Sequence, residues 1–313
     1  MNKSIAVLGS INCDIVAKAV RLPKKGETVD GLGVDMFVGG KGANLAVQAA
    51  QLGAKTYMIG NTGNDEQGRQ VRGGVSSKNV DITYVGISDK DKTGNCTIYV
   101  DLNGDNMLVL SPGANKTITT GMVDAGFAGA GDFSVLATNN EINIDAVEYG
   151  IRKAHELGAI TIYNPAPAVP VSDEVLKLVD YITPNETESE EYTGILRDGM
   201  DFEQWKRRSA EWFLNKGVGH VCITLGDKGA YYCGPDAEFT MDAFKIKPVD
   251  TTAAGDSFNG GFAFGLANGW EIKKCVALGS ACGAICAQNI GAQSSIMPYE
   301  TVCDFLRERG III

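Results

Sequence analysis

Short apolar runs and longer stretches of mixed polarity follow one another along most of the chain. Residues 5–8 are all apolar and stop at Gly9, as a buried strand does. Residues 43–52 are rich in Ala and Leu and end at Gly53, which predicts a helix closed by a glycine. Residues 56–59 read as a strand and 65–78 as a polar helix. From Phe133 onward the rhythm is regular. Strands are predicted at 134–137, 159–163, 181–183 and 220–225, and helices at 144–157, 172–178, 185–192 and 202–216. Residues 254–288, full of Gly and Ala, are helix-rich, with one helix at 258–266. Strand–helix alternation at this spacing predicts an α/β fold, a mainly parallel central sheet between helices.

Two stretches break this rhythm. Residues 15–38 and 95–110 read as strands with no helix between them, and Asn103-Gly104-Asp105-Asn106 is a hairpin signal. Strands that cannot join a parallel core form a separate small sheet, suited to a lid over an active site or to a subunit contact. No internal repeat or low-complexity linker interrupts the 313 residues, so one unit, 1–313, with that small sheet attached is expected.

Charge narrows the ligand. Against 28 basic residues stand 38 acidic ones, a net charge of -10, and no basic stripe offers a surface for duplex nucleic acid. An anionic ligand would have to be held locally, by backbone dipoles and a cation. No apolar run approaches the ~20 residues of a membrane helix, and no apolar region followed by a cleavage site opens the chain. A cytoplasmic protein without membrane or nucleic-acid partners is expected. The eight cysteines include no C-x-x-C pair, and the histidines are His155 and His220 alone, so interior reduced thiols are expected rather than a zinc site.

Several segments carry candidate chemistry. In Gly39-Gly40-Lys41-Gly42-Ala43-Asn44, glycines run into a helix start, where free N–H groups bind hydroxyls or anions. A tight turn with an exposed lysine is the alternative, and a Walker A loop is excluded because Gly42 stands where a Mg-binding hydroxyl is needed. Asp250-Thr251-Thr252-Ala253-Ala254-Gly255-Asp256 leads small residues into another helix. Four N–H groups from Ala253 to Asp256 can surround a developing negative charge, with Asp256 at the mouth; a plain helix cap is the other reading of Asp256. In Thr183-Pro184-Asn185-Glu186-Thr187-Glu188, Asn185 and Glu188 share a helix face after a strand, which suits Mg²⁺ or a solvated acidic helix start. Thr224-Leu225-Gly226-Asp227-Lys228-Gly229 fits a backbone approach to a nucleotide and equally a hairpin. Asn12 and Asp14, in Gly9-Ser10-Ile11-Asn12-Cys13-Asp14, point the same way from a strand end and can grip two hydroxyls, or face solvent.

The order of these segments is more specific than any one of them. With Asn164-Pro165-Ala166-Pro167-Ala168 between them, they follow one another as in the ribokinase family of carbohydrate kinases, which the chain resembles from Ile5 to about Phe305. The resemblance implies ATP-dependent phosphorylation of a pentose, D-ribose to D-ribose 5-phosphate. Other acceptors in that class are 2-deoxyribose, a ketohexose or a nucleoside, and a sugar-binding regulator is the reading without turnover. The resemblance places Asn12, Asp14, Gly40, Lys41, Asn44 and Glu141 on the sugar hydroxyls, with Asp256 as base. It places Asn185, Thr224, Gly226, Gly229, Ala254 and Gly255 on ATP, and Glu188 on Mg²⁺ through water. It implies a K⁺ site made of Asp250, Thr252, Cys286, Asn289, Gly291 and Ser295. The irregular strands become a β-lid that also pairs two subunits into a homodimer. Two departures from the family pattern, Asn95 and the run Thr138-Asn139-Asn140 before Glu141, are expected to add hydrogen-bonding groups near the sugar. The helix dipole is expected to favour ionised Asp256. A nicotinamide dehydrogenase is excluded, since G-x-G-x-x-G does not follow the first strand.

Overall fold

The computed structural model describes residues 4–313; residues 1–3 of the expected unit lie outside the described residues. The strands are β1 (Ile5–Leu8), β2 (Asn12–Ala19), β3 (Gly31–Gly39), β4 (Thr56–Gly63), β5 (Val80–Asp81), β6 (Val85–Ser88) and β7 (Gly94–Val100). They continue with β8 (Asn106–Ser111), β9 (Val135–Asn139), β10 (Ile160–Asn164), β11 (Tyr181–Ile182), β12 (His220–Thr224), β13 (Ala230–Cys233) and β14 (Glu238–Met241). The helices are α1 (Lys41–Gln51), α2 (Glu66–Ser76), α3 (Thr120–Ala130), α4 (Ile144–Glu156) and α5 (Asp173–Leu176). They continue with α6 (Glu186–Thr193), α7 (Phe202–Asn215), α8 (Ala254–Ala267), α9 (Ile272–Ala287) and α10 (Tyr299–Arg307).

Ten strands make one sheet, in the order β14-β13-β12-β11-β10-β9-β1-β4-β5, with β6 also beside β4. Its pairings are parallel except along β12–β13–β14. The central run Ile-Ala-Val-Leu of β1 is apolar throughout because both faces are covered. Ala6 and Leu8 pack with Phe127, Val147 and Phe213 of α3, α4 and α7. Ile5 and Val7 pack on the other side with Ala46, Phe262 and Val276 of α1, α8 and α9. The sheet order turns back at β1, with β4 on one side and β9 on the other, and at such a switch point the strands' carboxyl ends open a crevice.

The expected second sheet is present, in the order β3-β2-β7-β8. Asp101 and Gly104, at φ 88, close the turn between β7 and β8 where the hairpin signal lies. Only Gly9, Ser10 and Ile11 separate β1 from β2, so the small sheet grows directly out of the central strand. The eight cysteines form no disulfide. Among the described residues no helix is long and apolar enough to cross a membrane.

Some elements depart from the sequence pattern. The helix expected at 258–266 starts at Ala254, because Ala253 takes a left-handed turn (φ 62) that brings the chain into helix early. The strand expected at 56–59 continues to Gly63 by pairing with β6. Strands β5, β6, β13 and β14 and helices α3 and α10 are additions; β5 has two residues, too few for any period to show.

Helix α1 is seated by backbone against backbone. Gly40 has φ 93, and a Cβ there would stand 2.8 Å from Asn12 N and Ser10 O. A Cβ on Gly42 would stand 2.7 Å from the backbone of Gly9 and Ser10. Gly42→Ala is therefore expected to lower stability by about 1–3 kcal/mol, the range for overpacking. Gly73→Ala, exposed in α2 with nothing within 4 Å of the new methyl, should instead gain about 0.5–1 kcal/mol. Urea unfolding of both variants checks this; equal effects would show that the contact at Gly42 yields freely.

Candidate active site

The carboxyl ends of β10 and β12 and the segments after β3, β11 and β14 converge on a cleft of about 170 Å³. Of the residues expected to act, Lys41, Asn185, Glu188, Thr224, Gly255 and Asp256 line it. Asn12 and Glu141 are joined to it from one side. Glu141 Oε2 accepts from Ser10 Oγ (2.6 Å), Asn12 Nδ2 (3.3 Å) and the Lys41 N–H (3.3 Å). Asp14, next on the same face of β2, is half-buried, and burial first, then Glu141 and Asp256, push its carboxyl up to about 7.

Asp256 is buried and stands third in helix α8. Its Oδ2 accepts from Asn44 Nδ2 (2.9 Å), and Asn44 Oδ1 accepts from Gln293 Nε2 (3.3 Å). No side chain caps the helix, so capping is not what this carboxylate does. The net shift of Asp256 runs against the ionised form that the helix dipole is expected to favour. Burial raises the Asp256 pKa above the usual carboxylate value, against the opposing pull of Lys41 and Asn44. The Lys41 ammonium is held above its ordinary value, chiefly by Asp256, against burial and with help from Glu141 and Glu188.

The expected anion nest is narrower than four N–H groups. The Ala254 N–H is bonded to the Thr251 carbonyl (3.1 Å), while those of Gly255 and Asp256 take no partner among the described residues. Asn259 braces this turn: its Nδ2 donates to the Gly255 carbonyl (3.0 Å) and its Oδ1 accepts from Thr183 Oγ1 (2.7 Å). Asn164, in the cleft wall, keeps a buried Oδ1 without a partner. Ser10, Asn164, Thr183, Asn259 and Gln293 were not among the expected site residues. Three of them lie inside the motifs named above, and the signal for them was position at a strand end; Asn259 and Gln293 gave none, since Thr183 and Asn44, their partners in the site, lie far away in sequence.

Asn185 and Glu188 form a reciprocal cap on α6. Asn185 Oδ1 accepts from the Glu188 N–H (2.8 Å) and Glu188 Oε2 accepts from the Asn185 N–H (2.9 Å). Burial raises the Glu188 pKa, while the Asn185 N–H and Lys41 oppose it. The turn after β12 is a hairpin into antiparallel β13. Gly229 belongs to that turn: its φ is 96, its N–H and carbonyl bond to Gly226 and Leu225, and a Cβ would meet the Met241 carbonyl at 1.9 Å. A Cβ on Gly226 would meet nothing within 4 Å among the described residues.

A second cluster stands behind the nest. Asp250 accepts from the N–H groups of Thr252 and Gly291, both at 2.9 Å. Burial works against its charge, yet these bonds hold its pKa below the ordinary value, and no Lys or Arg among the described residues pairs with it. Cys286 Sγ donates to the Thr252 carbonyl (3.2 Å) and lies 2.9 Å from Ser295 Oγ. Asn289 turns its amide back to the Ile285 carbonyl (2.8 Å).

A profile of the pfkB family carbohydrate kinases matches residues 2–299. The chain belongs to that family. A ribokinase of Haemophilus influenzae is 37% identical over 306 residues, covering 98% of this chain and 99% of that protein. The crystal structure of ribokinase from Thermotoga maritima superposes with a TM-score of 0.87 at 35% identity, over 97% of this chain and 99% of that one. A ribokinase of Arabidopsis thaliana complexed with ribose and ATP superposes at 0.88 with 26% identity, over the same shares.

Two expectations about this pfkB-family site need correction. Asn95 pairs with Cys13 in the lid, whereas Asp14 pairs with Cys96, so Asn95 belongs to the lid face opposite Asp14. Asn140 Nδ2 donates to Tyr163 Oη, Pro167 O and Val169 O, and Asn139 Oδ1 accepts from the Glu141 N–H (3.1 Å). Asn140 is thereby used up in the loop under Glu141, whereas Asn139 Nδ2 and Thr138 Oγ1 are buried and take no hydrogen bond among the described residues.

The carboxyl of Asp14 yields a sign that can be measured. Its folded pKa, about 7, lies above that of an unfolded aspartate. The native chain then holds a proton that the unfolded chain has released, and stability falls as pH rises from about 4 towards 7. Asp14→Asn removes this loss. Its melting temperature relative to the parent should rise steadily across that interval; a constant difference would refute the raised value.

Proposed function

We propose that this kinase transfers the γ-phosphoryl group of ATP to the primary hydroxyl of D-ribose, giving D-ribose 5-phosphate. One observation carries the reading. A buried carboxylate, Asp256, stands beside the ammonium of Lys41 and the open N–H groups of the α8 turn, next to the hydrogen-bonded group of Asn12 and Glu141. The ribose and ATP held by the Arabidopsis relative support the choice of both substrates.

Phosphoryl transfer has a loose transition state, so positioning and charge stabilisation do most of the work. Asn12, Asp14, Glu141 and Lys41 hold the sugar by its hydroxyls. Asp256 accepts the proton of the attacking hydroxyl as the bond to phosphorus forms, and its raised pKa makes it a better acceptor at that moment. The N–H groups of Gly255 and Asp256, with the helix dipole behind them, face the transferring group. Thr224 and the open backbone of Gly226 receive the nucleotide.

The donor set near Asn185 and Glu188 fits Mg²⁺ held through water and phosphate oxygens. One oxygen of Glu188 stays free after the capping bond, and no all-protein cage of three acidic, His or Cys groups exists among the described residues. When bound, Mg²⁺ neutralises the triphosphate. Asp250, ionised, half-buried and without a cationic partner, fits K⁺ between the 250–252 and 291–295 segments. The lid exposes Met107, Leu108, Val109 and Leu110 along β8, an apolar strand that supports pairing of two copies into a homodimer through the lid.

A coupled ADP-release assay over a panel of sugars and nucleosides tests the reading. D-Ribose should give the highest kcat/KM, with 2-deoxyribose clearly poorer; a hexose or nucleoside in first place overturns it. Asp256→Asn should lower kcat by roughly 10²–10⁴ with little change in melting temperature, whereas near-normal turnover would remove its role as base. Turnover in K⁺ should exceed that in Na⁺ at equal ionic strength, and equal rates in both would reject the cation site.

A further inference from the structure

The sugar-gripping groups are themselves held by a short turn that the lid shares. Residues Gly113–Thr117 form a 3-10 turn directly after β8. Asn115 is fully buried there. Its Oδ1 accepts from the Ile11 N–H (3.0 Å), which forces its Nδ2 towards Asn12. That Nδ2 donates to Asn12 Oδ1 (2.7 Å) and to the Ile11 carbonyl (3.3 Å). Asn12 is thereby left with one orientation, Oδ1 towards Asn115 and Nδ2 towards Glu141 Oε2 (3.3 Å).

The next residue works on the other member of the pair. Lys116 Nζ donates to the Ile142 carbonyl (2.6 Å) and the Asn140 carbonyl (3.3 Å), the two residues flanking Glu141. Burial lowers the Lys116 pKa while Glu141 pulls it up, so the ammonium also feels the carboxylate it brackets. The turn is fixed in place from the lid side. The Ala114 N–H donates to the Lys92 carbonyl (2.8 Å), and a Cβ on Gly94, the first residue of β7, would stand 2.2 Å from Asn115 Nδ2 and 2.5 Å from Asn12 Oδ1.

We infer that Asn115 and Lys116 are positioning residues for the sugar site, Asn115 by fixing which face of the Asn12 amide meets Glu141 and the sugar, and Lys116 by clamping the loop that carries Glu141. This rests on the sugar-kinase reading above. A simple structural role would weaken the fold and disturb both substrates alike. A positioning role acts on the sugar and leaves the nucleotide side, built on β11, β12 and α8, untouched.

Asn115→Asp separates the two. It matches Asn115 in size and can still accept from Ile11, but it no longer donates to Asn12, whose amide must turn its oxygen towards Glu141. The KM for D-ribose, and its Kd by calorimetry on the full-length protein, should rise about tenfold or more, the effect of one lost hydrogen bond in a charged setting. The KM for ATP should change by less than about twofold. Should Asn115→Asp fail to fold, Lys116→Met carries the test, with the same split expected and Lys116→Arg restoring much of the sugar affinity. Unchanged sugar affinity, or an equal rise for both substrates, overturns the inference. A parent protein that binds D-ribose without turnover overturns the kinase reading and leaves the inference to be decided by Kd; one that binds no D-ribose overturns both.

Discussion

Lys41 stands against more negative charge than it carries. Asp256, Glu141 and Glu188 all act on its ammonium, and Asp14 lies in the field of the first two. Carboxylates gathered in a partly dry site raise one another's pKa, and each must be fixed by hydrogen bonds or it turns away towards water. The structure fixes them one by one: Glu141 by Ser10, Asn12 and the Lys41 N–H, Glu188 by the Asn185 cap, Asp256 by Asn44. What remains unsatisfied is acceptor capacity, which hydroxyl groups and a hydrated cation can meet. The charge pattern thus favours a polyol over an apolar or purely anionic ligand.

Asp256 shows how two local effects compete. A helix N-terminus offers roughly half a positive charge, and on that basis alone the carboxylate would be a poor proton acceptor. It is also buried, and loss of water raises its pKa above the usual carboxylate value. Lys41 and Asn44 limit the rise, so the group keeps affinity for a proton without being neutralised by burial alone. A carboxylate left to either influence by itself would serve less well.

Much of this was legible in the sequence, because the strand runs and glycine stops are local. The mainly parallel sheet, the separate small sheet and the placing of Lys41, Asn185, Glu188 and Asp256 in the first turns of helices follow from residues close together in the chain. The rest depends on contacts across long separations. Asn115 lies 104 residues from Ile11, and no period or spacing announces that it will hold Asn12. Asn95 and Asn140 read as polar groups free for a ligand, yet strand register puts the first on the far face and three backbone and hydroxyl acceptors take up the second. The start of α8 was misplaced because a left-handed alanine, Ala253, does there what a glycine does elsewhere.

Continuity between lid and core has a mechanical consequence. Only three residues separate the end of β1 from Asn12, where β2 begins, and β7 begins at Gly94 against the Asn12–Asn115 pair. A lid joined by long linkers could close without moving the groups beneath it. Asn12 and Asp14 belong to the small sheet itself, so under the proposed reading the sugar hydroxyls would be gripped by that sheet, and any displacement of it would move the grip with it. Sugar binding and closure of the small sheet would then be one equilibrium, and a closed site would keep water from taking the phosphoryl group in place of the sugar.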